Sequence, residues 1–341
     1  MKRKPTPKRL INSVTLASIG VMTTFSVATP QAEALTLIRN FVEASEEFPG
    51  MSEVYAGDAP SNAVGGGDLV DIFNTAADIW EAAIADDHTL TLNFGWAPLN
   101  SSKASHRLVD EGGTPHRETE ASIRFDNDES FSWFLDPTPD LNEEFQDLTE
   151  STQDLGGGAI NIERRYANTV ADSLANGHYD LLQTAIHEIG HALGMSNSND
   201  AYQVEKEDGD VDVTSPRPFE DSSIPIDGSH FPDELEQTLL WGGGLPRSER
   251  RYPSEVDIVA NAQVSQFTDV NLDLVIAGLA NTTSSNPDLN CPPETCTGMG
   301  ADLITWSVSS GVFLVLLTQA DFPKVYRLLA EILQVNWAPH L

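Results

Sequence analysis

The chain has 341 residues, enough for one large domain or two small ones. Its 40% hydrophobic and 21% charged content argue against wholesale disorder. Acidic side chains outnumber basic ones 52 to 19, a formal net charge of −33, so nucleic acid and anionic membranes are not expected partners.

The amino terminus has the three parts of a secretory signal. Lys2, Arg3, Lys4, Lys8 and Arg9 form a basic region, Leu10 to Ala28 an apolar and small-residue middle, and Ala32-Glu33-Ala34 an A-x-A cleavage site. Export, to the periplasm or the outside, with removal of residues 1–34 is therefore expected. Those residues carry five basic groups and one acid, so cleavage takes the net charge from −33 to −37. Three lysines then remain, Lys103, Lys206 and Lys324. Such acidity suits a medium rich in salt or calcium, although solubility alone explains it equally well.

A first strand is expected over Leu35–Phe41. The Gly-rich "VGGGD" leads into a helix with Asp68 as N-cap and Val70, Ile72, Phe73, Ala76, Ile79, Trp80 and Ile84 near helical spacing. "HTLTLNFGW" alternates Leu90, Leu92 and Phe94 as a half-buried strand, and "ASIRFDND" and "GGGAINIERR" read as two more. The acidic piece from Asp136 to Asp154 is expected to be a surface excursion.

The central helix starts at Asp180, with Gln183 completing a capping-box pattern. Leu181, Leu182, Ala185, Ile186, Ile189 and Leu193 give it a broad apolar face, and Gly194 stands where it would turn out. The polar stretch Asn197–Ser229 is too long for a tight connection. Its Asp208, Asp210 and Asp212 alternate like the start of a calcium loop, but Val213 and Phe219 replace the glycine and glutamate of a calcium hand. That leaves room only for looser Ca2+ binding or solvated charge. Ser254–Phe267 reads as a further helix capped by Ser254 and Asp257.

Composition changes near Asn281, dividing a domain of residues 35–281 from a C-terminal extension of residues 282–341. Cys291 and Cys296 could close a small disulfide loop in an exported chain. Leu303–Leu317 is the most apolar run outside the signal; at 15 residues it favours a buried strand or helix over membrane contact. "FPKVYRLLAEILQVNW" reads as an amphipathic helix, with Pro323 in its first turn.

Residues i and i+4 share a helix face, so His187 and His191 can aim imidazole nitrogens at one ion. Glu188 can reach a water there without itself coordinating. Zinc lowers the pKa of such a water and polarises a carbonyl, which suffices for peptide hydrolysis without a covalent intermediate. His178 reads as a capping or surface histidine; Tyr179 and Tyr252 are possible oxyanion donors that their spacing does not single out.

"HEIGHALGM" resembles the active-site helix of the metzincin metalloproteases, most of all the matrixin-like branch, whose pattern is HExxHxxGxxH followed by a methionine-containing turn. His187, Glu188, His191 and Gly194 match it. The resemblance spans Leu35 to about Phe267 and implies an α+β fold: a twisted mixed sheet with the active-site helix, one helix before it and one after, here with the C-terminal extension. Asn197 occupies the third-histidine position, and no methionine lies between Met195 and Met299. If Asn197–Ser229 is an insertion, His230 becomes the third ligand and Leu240 the apolar floor. Imidazole is the commoner zinc ligand, which favours His230 and leaves Asn197 or Asp200 as alternatives.

The resulting expectation is a secreted zinc-dependent endopeptidase. Zn2+ sits on His187, His191 and His230, Glu188 is the general base, and an extended protein or peptide substrate pairs beside an edge strand, for which "AINIER" is the candidate. The rivals are an inactive secreted adhesion or cation-binding module that retains the fold, and a metal-dependent hydrolase of non-peptide substrates. Any latency would not use an upstream cysteine, since both cysteines follow the motif.

Overall fold

The computed structural model describes residues 34–167 and 172–272, together with the backbone of two strands between 302 and 317. The signal-like residues 1–33, both cysteines and the segment from Phe322 lie outside the described residues.

A four-stranded sheet has the order β1 (Thr36–Phe41), β2 (Thr89–Ala97), β4 (Arg117–Asp126), β3 (Ala104–Gly112). β1, β2 and β4 run parallel; β3 is antiparallel to β4 and forms one edge. Between β1 and β2 the chain crosses over through α1 (Leu69–Ala83), whose N-cap Asp68 accepts from the Asp71 amide at 2.9 Å. The apolar periodicity of α1 buries Ile72, Phe73, Ala76 and Trp80 completely. Phe73 stacks on Phe94 of β2 with ring centroids 3.8 Å apart. The Trp80 indole donates to the Ile186 carbonyl at 2.9 Å, fixing α1 against α2 (Leu181–Ala192).

A second sheet has the order β11 (Glu249–Arg251), β7 (Ala159–Tyr166), β6 (Asp147–Asp154), with both pairings antiparallel. "AINIER" therefore lies in the central strand: β6 covers the whole of β7 on one side, and β11 covers Arg164–Tyr166 on the other. On the β11 side, however, Ala159–Glu163 have no strand partner among the described residues, so most of "AINIER" keeps one open side. Asp136–Asp154 departs from a surface excursion, since Asp136, Asn142 and Phe145 are buried and its last eight residues are β6.

Those buried residues surround Arg250, whose side chain is fully enclosed. Its guanidinium donates to both Asp180 carboxylate oxygens at 2.7 and 2.8 Å, to Asp136 at 2.7 Å and to the Leu141 carbonyl at 3.1 Å. The short strand β5 (Trp133–Phe134) pairs in parallel with β8 (Tyr179–Asp180) just before α2. Asp180 caps α2 by accepting from the Gln183 amide. The reciprocal half of the expected box is absent: the Gln183 side chain instead bonds Pro246 and the Arg251 amide.

The polar stretch after α2 is folded. It holds α3 (Asp200–Glu205) and a hairpin of β9 (Asp210–Asp212) with β10 (Ser223–Pro225). Tyr202, Val211, Val213 and Ile224 from it are buried in a cluster with Met195, Phe231, Leu240 and the Val256 and Val259 side chains of α4 (Glu255–Val264). The Ser254–Asp257 capping box of α4 forms as expected. Among the described residues no helix is long and apolar enough to cross a membrane. The apolar run near the C terminus forms an antiparallel hairpin, β12 (Asp302–Val308) with β13 (Gly311–Leu317), within a separate unit of residues 283–341.

Candidate functional site

α2 presents His187, Glu188 and His191, each 6–7% exposed, to a cleft of about 590 Å³ beside β3. His187 Nδ1 faces the Leu239 carbonyl at 2.9 Å, and His191 Nδ1 faces the Met195 carbonyl at 2.5 Å. A carbonyl can only accept, so each Nδ1 carries the proton and each Nε2 keeps its lone pair. The two Nε2 atoms point at each other across 3.1 Å. Two facing lone pairs repel unless a cation or a shared proton lies between them.

His230 completes this group. Its ring centroid lies 4.7 Å from that of His191 at 89° and 5.3 Å from that of His187 at 26°. Each of the three histidines offers a nitrogen within 4.8 Å of the other two. A turn positions His230, with the Asp227 amide donating to the His230 carbonyl at 2.8 Å, while the next residue, Phe231, donates to Leu240 at 2.8 Å. The other sequence candidates stand apart from this group. Asn197 lines the cleft, but its amide oxygen accepts from Lys206. Asp200 is exposed and lies 3.6 Å from His116.

Leu240 lies under the helix as expected. A Cβ on Gly190 would come within 3.2 Å of the Leu240 and Trp80 side chains, so α2 and the turn pack closely at this glycine. Asp257 holds the turn by accepting from the Leu239 and Leu240 amides at 3.2 and 2.9 Å, and Leu239 in turn supports His187. The chain leaves the helix at Gly194, whose φ of 153° and closeness to Ser265 exclude a side chain.

Electrostatics keep the three imidazoles neutral, the state that binds metal. Burial, reinforced by His230, pushes His187 down to about 3. Burial and the neighbouring imidazoles hold His191 well below the usual range, and burial lowers His230 against the pull of Asp227. Burial raises Glu188 to about 7, opposed by His106, including a hydrogen bond from its backbone, and by Arg124. The donor set fits zinc: three neutral imidazoles converge, with the second nitrogen of His187 and of His191 held by a carbonyl.

Three residues in the cleft region escaped the sequence reading. His106 on β3 lies 6.2 Å from His191 between ring centroids, and its Nε2 is 2.7 Å from Glu118. Arg124 acts electrostatically on Glu188, and Lys103 lines the cleft. Tyr252 is buried against Asn142 at 2.7 Å, and the Tyr179 ring lies beside Lys103, so neither was distinguishable by spacing. His178 faces the Asn176 carbonyl at 3.1 Å, as a surface histidine would. Asp208, Asp210 and Asp212 bring carboxylate oxygens within 4.8 Å of one another at the surface, away from the three histidines.

The family model Peptidase_M10: Matrixin matches residues 101–206. The match runs from just before β3 to the end of α3, so it includes His187, Glu188 and His191 and stops short of His230. No curated protein and no solved structure matches the chain.

Proposed function

From the premise that residues 101–206 form a matrixin-like metzincin segment, and hence that of a zinc metalloprotease in general, we propose that the chain is an exported endopeptidase whose zinc is held by His187, His191 and His230. The observation that carries this reading is the convergence of the three imidazoles, with the Nε2 atoms of His187 and His191 3.1 Å apart. A zinc ion there supplies Lewis acidity toward the scissile carbonyl and toward an attacking water.

The protein's own groups supply the rest. Glu188 takes the proton of the attacking water and returns it to the leaving amine nitrogen, so the carboxylate is restored each cycle. Its surroundings suit both steps: burial favours the protonated form, while the His106 backbone and Arg124 favour the ionised one. β3 offers the unpaired side of an antiparallel edge strand, and its Ala104, Ser105 and His106 line the cleft. An extended peptide adding to that edge would carry its backbone past the three histidines. Export rests on the basic, apolar and A-x-A pattern of residues 1–34.

Zinc content after dialysis, measured for the chain without residues 1–34 and for its His230→Ala variant, tests the ligand set. About one zinc in the parent and a large loss in the variant are expected. Equal zinc in both would return the third position to Asn197 or a carboxylate. Chelator-sensitive hydrolysis of an unfolded protein, abolished in Glu188→Gln with zinc retained, tests the chemistry. Zinc without hydrolysis would favour the binding-module reading. Sequencing the amino terminus of exported protein tests removal after Ala34.

A further inference from the structure

Lys103 is one of only three lysines beyond residue 34 of a chain with net charge −33, and it lies in the candidate cleft. It immediately precedes β3, the edge expected to receive the peptide. Its ammonium has three donors and, among the described residues, makes one hydrogen bond, to the Leu245 carbonyl at 2.9 Å. It lies 4.4 Å from the centroid of the Tyr179 ring, and the Arg247 guanidinium lies 4.8 Å from the same ring. Neither cation has a carboxylate within ion-pair distance among the described residues. Burial and the charge of Arg247 both lower the Lys103 pKa, and no acid appears on the other side of that balance.

A half-buried cation with spare donors, a second cation on the same ring and no anion is an arrangement that an incoming anion completes. Its place along the cleft is defined. Lys103 acts electrostatically on His187, the first histidine of α2, and Thr184, one helical turn earlier, lines the same cleft. Ser196, Asn197 and Ser198 line it beyond the far end of α2; the cation there, Lys206, bonds the Asn197 side chain but does not itself line the cleft.

We propose that the His187 end of the cleft is a subsite for an acidic side chain of the peptide, with Lys103 as its counter-ion and Arg247 adding to the local field. This rests on the endopeptidase reading for its substrate but not for its charge recognition. The overall negative charge does not oppose it, because screening at physiological salt confines competing fields to about 8 Å. The spare ammonium donors then face a carboxylate as the peptide lies along β3.

The test is binding with turnover blocked. Zinc-loaded Glu188→Gln protein is titrated, by fluorescence anisotropy, with labelled octapeptides that carry one glutamate at each central position in turn. Each peptide has a glutamine counterpart. At one position glutamate should bind about tenfold tighter than glutamine, as expected of a partly buried charge-assisted contact. The preference should vanish in Lys103→Met, return in Lys103→Arg and shrink at high salt. Affinity for the glutamine peptides should stay unchanged, which a merely structural Lys103 would not allow. No preference at any position overturns the proposal, as does a preference that survives in Lys103→Met, which would assign the carboxylate to the metal. If the preference follows Lys103 but the parent protein cuts no peptide, the acidic subsite stands and the endopeptidase reading fails.

Discussion

Replacing Arg250 by methionine should destabilise the start of α2. The guanidinium is fully enclosed and makes three charge-assisted hydrogen bonds of 2.7–2.8 Å to two fully enclosed carboxylates, Asp136 and Asp180. Methionine fills much of the same volume but leaves both acids without a cation. Breaking a buried ion pair from one side costs about 3–5 kcal/mol, and two carboxylates share this partner, so the upper end applies at pH 7. The sign with pH follows from burial. With Arg250 gone, only the Gln183 amide opposes the desolvation and the Asp136 charge that push Asp180 up, so its folded pKa exceeds its unfolded one by more than in the parent. The variant should therefore lose stability as pH rises above the ordinary aspartate value of about 4 and regain it on acidification. Urea unfolding followed by tryptophan fluorescence, in the presence of chelator so that metal linkage does not contribute, measures this directly. Adding Asp136→Asn and Asp180→Asn should restore most of the loss while leaving an amide able to cap α2. A cost below about 1 kcal/mol at pH 7, or stability that falls toward pH 5, would refute the account.

Leu240→Ala should cost about 2–5 kcal/mol by opening a cavity under Gly190, whereas Leu240→Met should cost less than about 1.5; equal effects in thermal or urea unfolding would show that the floor is not packed as described. Gly194→Ala should destabilise by about 1–3 kcal/mol, because φ is 153° and the new Cβ would lie 2.8 Å from the Ser265 hydroxyl, and unchanged unfolding would contradict that geometry. Glu144 is raised to about 7 by burial and by Asp136 and Glu143, so the folded state binds its proton more tightly than the unfolded one. Its contribution should be lost as pH rises from about 4.5 to 7. Glu144→Gln should flatten that slope and leave the protein more stable than the parent at pH 8; an unaltered pH profile would count against it.

What could be read from the sequence were features with a strong local signature. The capped, periodic helices over Leu69–Ala83 and Glu255–Val264 stand where expected, as do β1, β2, β4 and β7. β3 was missed because its "ASHRLVDEG" has one strongly apolar pair and is half-exposed throughout, the pattern of an edge strand whose stability comes from β4. The partner of β7 was missed for a related reason: the β6 strand that covers "AINIER" on one side, "DLTESTQD", is polar and largely exposed, and nothing local marks it as a pairing partner. Gln183 had the spacing of a capping-box residue, yet the chain around Pro246 and Arg251 supplied better partners. At the site, His187, Glu188 and His191 were legible because helical spacing alone brings them together. His230 was reached through its place ahead of Leu240, which the metzincin resemblance implies, together with ligand chemistry. Lys103, His106 and Arg124 were invisible because only strand pairing brings them to α2.

The segment between His191 and His230 is a folded piece with its own short helix and hairpin, and both of its ends stand at the candidate metal group. An ion gripped by all three histidines therefore acts as a clasp on a ring of about 40 residues, and a clasp on so long a ring removes considerable freedom from the open chain. Losing the ion would unlatch the ring at the point where its buried Tyr202, Val211 and Ile224 hold the rest in place. On the endopeptidase reading proposed above, metal starvation would then bear on survival as well as on rate, since a molecule stripped of its ion would offer neighbours that still hold theirs a long, loosened chain to cut.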